Sequence, residues 1–228
     1  MNELEVIYED NHVLVVYKQP GILSQEDHTK DLDLVNMAKK YLKEKYQKPG
    51  NVYVGLVHRL DRMTSGVLVL AKTSKAASRL SEQMKKGQFN KKYYVIVHGK
   101  TNDYGILENK LLKDEKKNKS FVTNSPNGKL ASLEYRRLST FSHKNDLFSL
   151  IDVKLNTGRH HQIRVQFNHI NHPLYGDTKY GNDKVKSYEK FFLCAYSLEF
   201  IHPTTKQLMH FSIQPKDSIF QIAITKNK

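Results

Sequence analysis

The sequence predicts an α+β fold built on a large mixed, mostly antiparallel sheet with a few flanking helices. Three observations carry that expectation. Short runs rich in β-branched and aromatic residues recur along the chain, among them "VLVVYK", "GVLVLAK", "YYVIVHG" and "DLFSLIDVKL", and that is strand composition. Helical periodicity is confined to three segments. The strands follow one another across turns instead of alternating with helices, which argues against a doubly wound parallel sheet.

The elements read as follows. "EVIYEDNHVLVVYKQPG" is two strands around the turn "EDNH", ended by Pro20-Gly21. In "DLDLVNMAKKYLKEKYQKPG", Val35, Ala38 and Leu42 fall at helical spacing, Asp31 or Asp33 can cap the start, and Pro49-Gly50 stops the helix. "NVYVGLVHRL" and "GVLVLAKT" are strands flanking "DRMTS". Thr73 or Ser74 caps a helix running to about residue 86. Its buried stripe is Ala76, Ala77, Leu80 and Met84, with Gly87 as the C-terminal cap.

"KKYYVIVHGK" is a strand. "LLKDEKKNKS" is a charge run suited to an exposed loop or a sheet edge, and "SPNGK" holds the Asn-Gly of a tight turn. "LASLEYRRLSTF" and "DLFSLIDVKL" form a strand pair joined by "SHKN". "NTGRHHQIRVQFNHIN" changes period, with Ile163, Phe167 and Ile170 as a helical stripe and Asn156 or Thr157 as its cap. Residues 173–190 are expected to be loop, and "FFLCAYSLEFIH" and "LMHFSIQP" are the closing strands.

The length, 228 residues, suits one large domain or two small ones, and we expect a single catalytic domain over 1–228. One cysteine, Cys194, precludes an internal disulfide and fits a reducing compartment. The acidic N-terminus has no signal-peptide character, and the longest apolar runs fall short of a membrane span. The expectation is a soluble, cytoplasmic protein, monomeric by default. Lysine and arginine number 37 against 23 acids, a net charge of +14, which points to a polyanionic partner. No segment sets a basic face opposite a Trp/Phe/Leu face, so nucleic acid ranks ahead of membrane.

Two constellations carry chemistry. "HRLDRMTSG" (58–66) sets Asp61 between Arg59 and Arg62, at the join of two apolar runs. If that join is recessed, the carboxylate needs a cationic partner, because a buried unpaired charge costs roughly 3–5 kcal/mol. Such a partner keeps it ionised, and a held carboxylate is a competent nucleophile or base. "TGRHHQIR" (157–164) brings Arg159 and Arg164 to a helix start, where backbone N–H groups favour anions. In "KKYYVIVHGK", Tyr93 and Tyr94 point to opposite faces, and one of them can stack on a nucleobase. His160, His161, His169 and His172 lie close together but lack any metal-ligand spacing, so no metal is expected. Neither a phosphate-binding loop nor a dinucleotide fingerprint is present, so no nucleotide cofactor is expected.

Together these stretches resemble the RluA-type pseudouridine synthases along nearly the whole chain. "EVIYEDNHVLVVYKQPGILSQ" is similar to the family's opening strands, "HRLDRMTSGVLVLAKTSKA" to its catalytic motif, "KKYYVIVHG" to its K-x-Y strand, and "TGRHHQIRVQFNHINHPLYGDTKYG" to its TGR-x-HQIR and GD-x-x-YG signature. The resemblance implies a pseudouridine synthase fold with a central catalytic cleft. It also implies an enzyme that isomerises uridines of rRNA or tRNA without a cofactor. Asp61 would be the essential carboxylate, Arg164 its partner, and Tyr93 the tyrosine against the uracil. Arg59 would fill the space left by an extruded base, and Arg62, Thr64, Arg159 and Gln162 would complete the substrate-binding set. Gln166 stands where many relatives have His, and "KQPG" replaces the commoner Lys-Pro-x-Gly. The catalytic pattern begins within the first ten residues, so the N-terminal S4 RNA-binding domain of some relatives is not expected. The alternative reading is a non-catalytic RNA-binding protein on the same fold.

Overall fold

The computed structural model describes residues 3–181 and 191–225. Along the described chain the elements are β1 (Glu5–Glu9), β2 (Val13–Lys18), α1 (Leu34–Lys45), β3 (Gly55–Leu56), β4 (Ser65–Ala71), α2 (Ser74–Lys85), β5 (Asn90–His98), β6 (Tyr104–Asp114), β7 (Lys119–Val122), β8 (Lys129–His143), β9 (Asp146–Leu155), α3 (Gln162–His169), β10 (Leu193–Ile201), β11 (Leu208–Ser212) and α4 (Ser218–Thr225). This is the α+β composition expected. The chain divides into two compact units, 1–90 with 195–213, and 91–194 with 214–228. The part of the expected loop at 182–190 lies outside the described residues.

In the first unit the strand order is β1-β2-β4-β10, with β3 added to β4 and β11 to β10. β1/β2, β2/β4, β3/β4 and β10/β11 all pair antiparallel. β2 is buried along its whole length. Such a strand reads as an unbroken apolar run, and this one breaks the rule only at its last residue, Lys18. Ala76 and Leu80 of α2 pack with Val13, Val15, Val67, Val69, Leu198 and Phe200. At Gly66 (φ +129°) the backbone of Ala195 passes so close that a Cβ would lie 2.2 Å from its carbonyl oxygen, so only glycine fits there.

Local signals set the helix limits. Asp33 caps α1 by accepting the Asn36 N–H at 3.0 Å. The buried stripe of α1 is Leu34, Ala38 and Leu42, one residue off the expected start at Val35, which is half-buried. Thr73 caps α2 through the Ala76 N–H. Past its other end, Gly87 adopts φ +68°, and the N–H groups of Gly87 and Gln88 donate to Met84 and Gln83, a Schellman closure. The strand expected across "NVYVGLVHRL" shrinks to Gly55–Leu56. Beyond it the imidazole of His58 replaces the backbone, accepting the Val69 N–H at Nε2 (3.2 Å). That side-chain bond ends the ladder and releases residues 58–64 into a loop.

In the second unit the order is β5-β9-β8-β6-β7, and β5/β9, β8/β9, β6/β8 and β6/β7 pair antiparallel. The charge run "LLKDEKKNKS" is the tip of the β6–β7 hairpin at the sheet edge. β8 and β9 turn at Lys144-Asn145, both with positive φ (49° and 67°), as a two-residue primed turn requires. Val165 of α3 packs with Leu111, Ala131 and Tyr180, and Phe167 sits edge-on to Tyr135.

The expected caps of α3 are not its caps. Asn156 and Thr157 bond to Ser132 instead. The residue before the helix is His161, in the left-handed region (φ 53°) with no capping side-chain bond. Gln162 stabilises the turn in their place, because its Oε1 accepts the Thr157 hydroxyl and the Arg159 N–H. α4 had no counterpart in the sequence reading. Asp217 accepts the Ile219 N–H at its start, and Ile219, Phe220 and Ala223 are buried. Among the described residues no helix is long and apolar enough to cross a membrane.

Candidate active site

The loop that carries Asp61 is tied down from several directions. Ser24 Oγ donates to the Leu60 carbonyl (2.7 Å) and accepts the Leu60 N–H (3.1 Å). The Gly21 N–H reaches the Arg62 carbonyl at 2.9 Å, and the Thr64 N–H closes a turn on the Asp61 carbonyl at 3.0 Å. Asp61 itself is half-buried. Its two arginine neighbours differ. Arg59 is exposed and has no ion pair among the described residues. Arg62 is held at the surface by Asp31 (2.7 Å) and the Gly21 carbonyl (3.1 Å). The hydroxyl of Thr64, a residue 2 % exposed, finds no hydrogen-bond partner among the described residues.

The residue the sequence reading missed is Lys18. It is fully buried at the end of β2. Its ammonium donates to the carbonyls of Thr64 (2.8 Å), Arg62 (2.9 Å) and Gln19 (3.2 Å), so it grips the Asp61 loop from beneath. Burial pulls its pKa down to about 7, while the Asp61 carboxylate pulls upward and Arg62 downward. The signal was present in "VLVVYKQPG" as a lysine closing an otherwise apolar strand.

Lys18 is therefore a positioning residue, with a testable consequence. Lys18→Met is expected to strand carbonyls at about 1–3 kcal/mol each, lowering the thermal midpoint and kcat together. The pH dependence carries a distinct sign. The folded group loses its proton near 7 and an ordinary lysine near 10.5. Between those values the unfolded chain holds more protons, so this group makes the fold more stable as pH rises. Lys18→Met removes that slope. Denaturant unfolding of both proteins across the window checks it, and an unchanged slope refutes the assignment.

In the second unit, Arg164 sits on α3, 6 % exposed. Its Nε and Nη2 donate to the two oxygens of Asp177 at 2.6 and 2.9 Å. Asp177, fully buried, also accepts the Lys179 and Tyr180 N–H groups through Oδ1. The guanidinium lies over the rings of Phe191 (4.3 Å) and Tyr180 (5.0 Å). The Tyr180 hydroxyl accepts the Ser120 N–H and bonds to His161 Nδ1 (2.7 Å). Burial first, then the electrostatic influence of Arg164, His160 and Lys179, pushes the His161 pKa down to about 2 against the pull of Asp177. A neutral ring follows, so His161 itself adds no positive charge beside Arg164. The "GDTKYG" signature thus has a physical reading, in which its Asp clamps Arg164 and its Tyr lies against the same side chain.

Tyr93 lies on β5, opposite Val153 of β9, and is 6 % exposed. Gln162 spends its amide on the turn before α3, with Nε2 donating to the Ser132 carbonyl. Arg159 is exposed and anchored through Nε to the Leu130 carbonyl. Gln166, in place of His, is fully buried and donates to the Leu107 carbonyl and Asn109 Oδ1. It therefore belongs to the packing under α3. No group of three or more His, Cys, Asp or Glu among the described residues is arranged to hold a metal ion.

The comparisons with known proteins agree with one another. The ribosomal large subunit pseudouridine synthase C of Buchnera aphidicola subsp. Baizongia pistaciae is 33% identical over 228 residues, covering 96% of this chain and 69% of that protein. The tRNA pseudouridine synthase C of Pectobacterium carotovorum is 33% identical over 216 residues, covering 91% of this chain and 56% of that protein. The solved structure of human RNA pseudouridylate synthase domain containing 4 superimposes with a TM-score of 0.77 at 21% identity, covering 98% of this chain and 92% of that one, which shows a shared fold. The RNA pseudouridylate synthase family matches residues 12–169, a span running from β2 through the Asp61 loop to the end of α3, and this chain belongs to that family.

Proposed function

We propose that this protein isomerises uridines of ribosomal or transfer RNA to pseudouridine in the cytoplasm, acting as a monomer without a cofactor. Family membership makes it an RNA pseudouridine synthase, an isomerase. The residue roles are our reading. Asp61 is the essential carboxylate, Arg164 the guanidinium paired with it, and Tyr93 the ring against the uracil. The observation that carries this reading is the care taken over the Asp61 loop, where a fully buried lysine and a serine are both committed to its backbone carbonyls.

The reaction breaks the N-glycosidic bond, turns the uracil, and joins C5 to C1′ of the same ribose. The C5 proton is then lost and N1 regains one. No electron or phosphoryl group is transferred. A uridine stacked in RNA must first be extruded, at a cost of a few kcal/mol. Phosphate contacts from a chain of +14 offset that cost and weaken with salt. Arg59, exposed, fills the vacated stack. Arg62 and Arg159, both exposed, meet the RNA backbone, while the Thr64 hydroxyl offers a buried polar contact to the nucleoside. Gln162 supports the turn that presents Arg159. Asp61 acts on the nucleoside as nucleophile or base while Arg164 orients the carboxylate, and Tyr93 retains the detached uracil.

The test is tritium release. RNA carrying 5-³H-uridine, offered as ribosomal and transfer transcripts, is expected to lose its label to water on incubation with the protein. Pseudouridine maps of cells with and without the protein then name the site. Retention of tritium on every RNA, with binding intact, would favour a binding protein without catalysis.

A further inference from the structure

Among the described residues Lys91 has no counter-charge. It lies on β5, half-buried, and among the described residues no carboxylate and no hydrogen-bond acceptor reaches its ammonium. Burial alone depresses its pKa. Holding an ammonium partly out of water with no charged partner costs free energy, and departures of this kind concentrate at functional sites.

Two features of its surroundings indicate what completes it. The first is Gly158, in the turn before α3. A Cβ there would lie 3.3 Å from Lys91 Nζ. The φ of Gly158 is outside the left-handed region, so backbone conformation does not demand a glycine. What its missing side chain provides is an open approach to the ammonium from solvent, since Gly158 and its neighbour Arg159 are both exposed. The second is position. Lys91 and Tyr93 are two residues apart on one strand and so share a face, about 7 Å apart along it. That is comparable to the reach from a nucleobase to the phosphate of its own nucleotide.

We propose that Lys91, reached past Gly158 and flanked by Arg159, binds a backbone phosphate of the target nucleotide while Tyr93 holds its base. This rests on the function proposed above. A diffuse basic surface would hold RNA without regard to register. A single recessed ammonium fixes one phosphate, and thereby sets which nucleotide can place its base at Tyr93.

Lys91→Met tests this, with Lys91→Arg as the charge-preserving partner. On uridine-containing RNA, Lys91→Met is expected to lose about 10- to 100-fold in kcat/KM, the loss of one charge-assisted hydrogen bond. The slope of log binding constant against log salt should shrink by about 0.7–0.9, one phosphate's worth. Lys91→Arg restores part of both. Because an unpaired charge has been removed, Lys91→Met should melt no lower than wild type, a result a merely structural lysine would not give. RNA with a neutral methylphosphonate at each phosphate flanking the target supplies the cycle. At one of the two positions wild type falls to the level of Lys91→Met, and Lys91→Met falls no further. An unchanged salt slope, or methylphosphonate losses equal in both proteins, overturns the proposal. If wild type makes no pseudouridine, the proposed function fails, while the salt slopes still decide whether Lys91 binds a phosphate.

Discussion

Asp61→Asn is expected to abolish pseudouridine formation while leaving the fold and RNA binding in place. The substitution changes charge and almost nothing else. The loop is held by its backbone, through Lys18 on the carbonyls of Arg62 and Thr64, Ser24 on both backbone groups of Leu60, and the Thr64 N–H on the Asp61 carbonyl. None of these bonds uses the Asp61 side chain. An amide of the same shape can therefore occupy its place, but it is neither nucleophile nor base. General acid–base participation is worth about 10²–10⁴-fold, and a group that is also essential as a nucleophile is worth more. Tritium release should fall by on the order of 10³-fold or more. The melting temperature should hold, and so should affinity for RNA at fixed salt. The variant has one further signature. Asp61 raises the pKa of Lys18, so removing its charge should lower that pKa further. Retention of turnover within about tenfold of wild type would dismiss Asp61 as the essential carboxylate.

What could be read from the chain and what could not divide along a physical line. Signals local in sequence were legible. Thr73 and Asp33 cap the helices that follow them, Gly87 closes α2, and the β8–β9 turn falls within "SHKN" at Lys144-Asn145. Asp61 was legible too, because an acid at the join of two apolar runs is odd in itself. Features created by distant residues were not. Lys18 looks like the polar end of a strand, and its burial depends on carbonyls 44 and 46 positions away. Asp177 reads as a loop residue until the turn that contains it folds back onto α3 and meets Arg164. The run "NVYVGLVHRL" is apolar enough for a full strand, yet a His58 side-chain bond to Val69 supplants the ladder after two residues. In each case the deciding interaction is a side chain meeting a backbone group, or another side chain, of a remote segment. Periodicity carries no record of that.

Arg164→Met should cost both stability and activity, and the two losses can be pulled apart. The stability loss concerns Asp177. It is fully buried, and it gives one oxygen to Arg164 Nε and the other to Nη2. Methionine fills much of the volume between Phe191 and Tyr180 but leaves the carboxylate, among the described residues, with the N–H groups of Lys179 and Tyr180. Breaking one side of a buried pair costs about 3–5 kcal/mol, which should appear as a large drop in denaturation midpoint. Adding Asp177→Asn removes the stranded charge, while the asparagine oxygen can still accept the same two N–H groups, so the double variant should regain most of the lost stability. Turnover should not return with it, because the proposed role of Arg164 toward Asp61 needs the guanidinium and not the packing. Arg164→Lys belongs between these cases. It keeps the charge but offers a point where Asp177 is matched to a fork, so stability should fall less than with methionine and activity should fall more than stability explains. If the double variant recovers turnover along with stability, Arg164 serves only the fold, and Asp61 must be oriented by some other group. If Arg164→Met alone leaves both unchanged, the clamp itself has no energetic weight.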